Sequence, residues 1–185
     1  LCAAITATQA GLARAFMRHR AAPLAAARWG DMLLVWVGLG IGALLKGPVG
    51  PMVALLTVAG VWLLGGGIAW LRQTRPLVGV LLALAIVLPW AILITLETGG
   101  AFWSQAIGGD MLAKVAGGQE SHGAWPGYYL LFVTLTLFPA SILLVPAAWR
   151  TVLGRTEPWA LFLIAWTVPT WIVFELVPTK LYHYV

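Results

Sequence analysis

The chain has 185 residues, 61% of them hydrophobic and 9% charged, with 11 Trp and a formal net charge of +5. Soluble domains carry about 25% charged residues, so this composition, with a mean hydropathy of +0.92, excludes a water-soluble globule and predicts an integral membrane protein. No basic run with interleaved aromatics suggests a nucleic-acid partner, and a single cysteine, Cys2, rules out a disulfide framework and a CxxC metal site.

The expected fold is all-α, a polytopic transmembrane helical bundle whose main partner is the lipid bilayer. Residues 1–16 read as part of a first span. The sequence starts at Leu1 with no initiator Met or signal peptide, so it is expected to be an internal fragment of a longer polytopic protein. Arg14, Arg18, Arg20 and Arg28 follow, and then Met32–Leu71 contains one charge only, Lys46. As one helix this stretch would be about 60 Å long, twice the hydrocarbon thickness. Arg72 and Arg75 close it with a second basic cluster. If both clusters lie in the cytoplasm, the chain must cross twice between them. The turn is expected at Lys46-Gly47-Pro48, where proline removes a helix donor and glycine permits a sharp bend. Spans are therefore predicted at 31–46 and 48–68, with Lys46 at the outer interface.

Further spans are predicted at 77–96, 127–147 and 158–176, with an external loop at 97–126 carrying Glu97, Asp110, Glu120 and His122. In that loop Trp103, Ile107, Met111 and Val115 recur every four residues, the spacing of a helix lying on the membrane surface. The topology places eight basic residues inside and three outside, namely Lys46, Lys114 and Lys180.

Taken singly, a lysine at a span end reads as a snorkelling residue. Tyr128, Tyr129, Tyr182 and Tyr184 read as an interfacial aromatic belt, and His122 and His183 as solvated loop histidines. Their coincidence on one side points further. "KGP" at 46–48, "GGQESHGAWPGYY" at 117–129 and "VPTKLYHYV" at 177–185 all fall outside. Cations at headgroup level in front of apolar helices suit an amphiphile bearing a phosphate. Neighbouring carboxylates and histidines suit proton transfer or a divalent metal.

These three segments resemble the bacterial family 39 glycosyltransferases, the group containing the lipid A aminoarabinose transferase and relatives of the protein O-mannosyltransferases. "GLGIGALLKGPVGP" is similar to that family's L-x-KGP turn. "FWSQAIGGDMLAKVAGGQESHGAWPGYY" resembles its external loop, and "ELVPTKLYHYV" its PTKLPHY turn, with Tyr182 where the family usually has proline. The resemblance implies a GT-C fold in the bacterial inner membrane, with an active site facing the periplasm or exterior. It implies transfer of a sugar from a polyprenyl-phosphate carrier to a lipid, protein or glycan acceptor. Lys46 and Lys180 would hold the carrier phosphate. His122, with Glu120 and His183 beside these positions, would contact phosphate or a divalent metal, and Tyr128, Tyr129 and Tyr184 would line the substrate cavity. The family's general base lies in an earlier external loop, so it is expected upstream of Leu1, and the fragment alone is expected to be inactive. Two other readings remain: a transporter or lipid flippase, for which Pro89 and Pro169 would kink helices around a pathway, and a non-catalytic membrane scaffold.

Overall fold

A computed structural model describes residues 1–106 and 127–176, and every described element is helical. The chain divides into two units, one of Leu1–Ile92 with Gly154–Thr170 and the other of Leu93–Leu153 with Trp171–Val185.

The first unit opens with α1, Cys2–Ala21, an alanine-rich helix with Arg18, His19 and Arg20 in its last turn, where cations complement the helix dipole. It runs to Ala21, five residues beyond the end expected for the first span. Pro23 then prevents its continuation. Helix α2, Trp29–Lys46, returns antiparallel to it, and α3, Val49–Val61, continues through a π-helical turn, Trp62–Gly66. The α1–α2 seam is built on small residues. A Cβ on Gly11 would stand 2.7 Å from Val35 Cγ2 and 2.9 Å from the Asp31 carbonyl oxygen. Such close backbone approach is how helices gain packing energy in lipid, where burial from water is not available.

A 3₁₀ helix, Ala69–Thr74, then tucks under the bundle. Its Trp70 is fully buried and meets Phe16 edge-on at 5.6 Å, and Phe16 also packs at 6.0 Å against Phe162. Leu12, Val35, Val61, Leu161 and Ala165 complete this core. The same 3₁₀ segment staples the α1–α2 loop. Gln73 Nε2 donates to the Ala25 carbonyl at 2.8 Å, Arg75 Nη2 donates to the Ala27 carbonyl at 3.0 Å, and the Arg75 guanidinium lies 4.0 Å from the centre of the Trp29 ring. The two arginine-rich loops thus meet at one end of this unit.

Helix α4, Pro76–Thr98, passes from the first unit into the second, with Gly79 its one buried residue. Leu77, Leu81 and Leu96 are 84%, 68% and 75% exposed, surfaces that a helix keeps in lipid but not in water. In the second unit α5, Tyr128–Thr136, does not continue to Ala147 as the expected single span would. It stops before Pro139, and the chain resumes as a 3₁₀ turn, Ala140–Leu143, and α6, Leu144–Leu153. The two halves are bent by 119°. Proline supplies the reason, since it has no N–H for the helix ladder and its ring collides with the preceding turn. Helix α7, Pro158–Leu176, has the ends read from the sequence.

Among the described residues four helices are long and apolar enough to cross a membrane: Trp29–Lys46, Val49–Gly66, Pro76–Thr98 and Pro158–Leu176. This is the makeup of a membrane protein. One consequence is testable within the first unit, where α3 meets the first half of α7 at Gly60. A Cβ there would stand 2.7 Å from the Ala165 carbonyl oxygen and 2.9 Å from its Cα, backbone that cannot swing aside. Gly60→Ala is therefore expected to cost about 1–3 kcal/mol, read as a lower unfolding midpoint in detergent. An unchanged midpoint would mean that the two helices do not touch there.

Candidate functional site

Lys46 occupies the last turn of α2 and is exposed. The helix ends because Gly47 takes φ 56°, ψ −128°, with its N–H returning to the Ala43 carbonyl at 2.8 Å, and Pro48 then leads directly into α3. Only glycine adopts that backbone without strain. Just below the turn Gly42 and Gly50 lie face to face, a Cβ on either falling within 3.7 Å of the other's Cα. The two helices can therefore cross tightly under the lysine. From Trp29 to Lys46 the helix is about 27 Å long at 1.5 Å per residue, so Lys46 stands at the end opposite the arginine-rich loops.

An apolar groove of about 590 Å³ runs along the α1–α2 surface toward that lysine. Ala4, Ala7, Leu33, Val37, Ile41 and Leu45 are among its lining residues. Leu45, at the groove's end, immediately precedes Lys46 in the chain. Lys46 itself is not among the groove's lining residues; it stands at the end of the same helix.

In the second unit, Glu175 near the end of α7 accepts hydrogen bonds from the backbone N–H of Gly127 at 2.9 Å and of Tyr129 at 3.1 Å. A carboxylate here satisfies donors that the start of α5 would otherwise leave open and complements its dipole. The Tyr129 side chain is buried, while Tyr128 stacks on Phe132 at 4.4 Å between ring centres. The Glu175 contact also joins the roots of two sequence segments. One ends at Gly127 after Glu120 and His122, and the other begins just after Glu175 and carries Lys180, His183 and Tyr184.

Those last five residues, with the expected surface helix from Ile107 onward, lie outside the described residues. Of the sequence-predicted site, the structure describes Lys46, Tyr128 and Tyr129. Among the described residues no three His, Cys, Asp or Glu side chains come together as a metal site.

Sequence reasoning missed one cluster altogether. Asp31, in the first turn of α2, has a completely buried side chain lying 2.9 Å from Arg14 Nε and 2.6 Å from Arg18 Nη1. The Arg18 side chain is 15% exposed and Arg14 is 55% exposed. The arginines had been read as topology signals and Asp31 as the start of a span. Their signal was present, however, in the four-residue spacing of Arg14 and Arg18, which puts both on one helical face. Glu175, which fastens α5 to α7, is not singled out by the sequence either.

The chain matches no protein-family model, no curated protein and no solved structure.

Proposed function

We propose that this chain forms part of a membrane glycosyltransferase of the family 39, GT-C type. It would move a sugar from a polyprenyl-phosphate carrier to an acceptor at the outer face of a bacterial plasma membrane. The observation that carries the reading is the apolar α1–α2 groove, lined by the helix whose last turn carries Lys46. A carrier of this class has the same two parts, an isoprenoid tail that needs a hydrocarbon trough and a phosphate that needs a cation at headgroup level.

In this reading the bond between the anomeric carbon and the carrier phosphate breaks while the acceptor oxygen bonds to that carbon. The carrier phosphate leaves with the bonding electron pair, and a lysine such as Lys46 stabilises its growing charge. The acceptor proton goes to a carboxylate general base. A photoreactive polyprenyl-phosphate analogue is expected to label Leu33, Val37 or Ile41 in the intact protein, with natural carrier competing. Labelling confined to other helices would remove the groove from the site.

The orientation follows from the charge rule, and the two arginine-rich loops lie at the end of the first unit opposite Lys46. In a Cys2→Ala background, Ser104→Cys is expected to react with an impermeant thiol reagent in intact cells. Arg72→Cys is expected to react only after permeabilisation, and the reverse pattern would invert the topology.

The alternative reading as a transporter has one observation in its favour, the broken helix at Pro139 with its 119° bend. Interrupted helices line substrate paths in many transporters. The two readings part on product. A transferase releases free polyprenyl phosphate and glycosylated acceptor, whereas a flippase returns the carrier-linked sugar unchanged on the other side.

A further inference from the structure

At the arginine-rich end of the first unit, a cleft of about 580 Å³ opens between the last turn of α1, the loop after it, the π-helical turn and the start of α7. Its lining includes Arg20 and His19, with Met17, Pro23, Gly66 and Pro158 supplying apolar and backbone surface. This is about the size of a small-molecule site, typically some 300–1,000 Å³. We infer that this cleft binds the phosphate-bearing headgroup of an anionic phospholipid, at the membrane face opposite Lys46. The proposal depends on neither the carrier nor the transfer reaction.

Three observations converge. First, the cleft is amphiphilic, with a guanidinium and an imidazole beside a methionine and prolines. Second, large apolar side chains are exposed beside it. Leu24, on the loop after α1, is 99% exposed, and Leu63, in the π-helical turn, is 74% exposed. An acyl chain attached to a headgroup in the cleft would find apolar surface on both sides, whereas a soluble anion would not use it. Third, the local charge is divided. Arg18 and Arg14 are engaged by Asp31, while Arg20, on the same turn, is exposed and lines the cleft. Glu157, exposed and next to Pro158, is the carboxylate nearest in sequence to the cleft on the α7 side. Glu157 is not among the residues that line the cleft. Basic pockets between helices at the headgroup layer are where anionic lipids are held.

The test uses the purified protein in nanodiscs of phosphatidylcholine with graded phosphatidylglycerol, reading lipid retention by native mass spectrometry and thermal stability. Phosphatidylglycerol is expected to be retained over phosphatidylcholine. Arg20→Gln should weaken that retention roughly fivefold, the equivalent of about 1 kcal/mol for one basic residue at a headgroup layer. His19→Gln should weaken it further, and Arg20→Lys should restore most of it. Arg72→Gln, an exposed arginine at the same end but outside the cleft lining, should change nothing. Because Arg20 is exposed, its variants should fold, and their unfolding midpoints in pure phosphatidylcholine should match wild type. Equal retention by Arg20→Gln and wild type, or equal losses from Arg20→Gln and Arg72→Gln, would overturn the site. If inorganic phosphate in phosphatidylcholine nanodiscs reproduced the stabilisation, the ligand would be a soluble anion and the lipid assignment would fall.

Discussion

Asp31→Ala is expected to destabilise the protein by about 3–5 kcal/mol, the usual cost of removing one partner from a buried ion pair. The carboxylate is completely buried between two guanidiniums, and Arg18 is nearly buried with it. Without Asp31, the Arg18 charge has no counterion in a region closed to water. Arg14, more than half exposed, can turn outward, so Arg14→Ala should cost no more than about 1 kcal/mol, as exposed pairs do. Arg18→Ala should fall between the two or match Asp31→Ala. The double variant Asp31→Leu with Arg18→Met should recover much of the loss, since apolar replacements of a buried pair are often neutral or better. Thermal unfolding in detergent at low and high salt reads all of these. Salt should matter little, because screening acts mainly on exposed charges. If Asp31→Ala unfolded at the wild-type temperature, the cluster would be a solvated surface feature and not the clamp between α1 and α2.

Lys46→Ala is expected to weaken carrier binding and turnover by roughly 10- to 150-fold in the intact protein. The basis is about 1.5–3 kcal/mol for a hydrogen bond to a charged group, at 1.4 kcal/mol per tenfold. A lysine that only carries its charge to the headgroups would be replaceable by Gln or Ser with little effect. Lys46→Arg should restore part of the activity, because it keeps the charge but changes its geometry. Since Lys46 is exposed in the last turn of α2, the Ala variant should keep its fold, which circular dichroism and gel filtration would check. Wild-type binding and turnover in Lys46→Ala would reduce the lysine to an anchor for the helix end.

The α2–α3 hairpin was legible in the sequence because three signals agreed: the uncharged stretch was too long, basic clusters flanked it, and Lys46-Gly47-Pro48 interrupted it. The ends of α7 were legible for a similar reason, with Glu157-Pro158 opening an apolar run and Pro178 following Leu176. Proline alone was a poorer guide. Pro89 and Pro169 lie within continuous helices, while the chain breaks at Pro139. All three remove the same donor, so packing around the helix decides, and the sequence does not display that packing. The Asp31 clamp was hidden for another reason. Its partners are 17 and 13 residues away, and they meet only because small residues let α1 and α2 lie close together. Of the candidate site, Lys46, Tyr128 and Tyr129 lie among the described residues. The α1–α2 groove and the Glu175 contact required the fold, because both depend on which helical faces come together.

The most direct test of the proposed function is a transfer assay on the intact protein in proteoliposomes, supplied with undecaprenyl-phosphate sugars and with lipid, peptide or glycan acceptors. The proposal predicts that free undecaprenyl phosphate and glycosylated acceptor appear in equal amounts, and that Lys46→Ala slows both together. If the carrier-linked sugar crossed the bilayer intact, with no free carrier phosphate formed, the protein would be a transporter and the transferase reading would be contradicted.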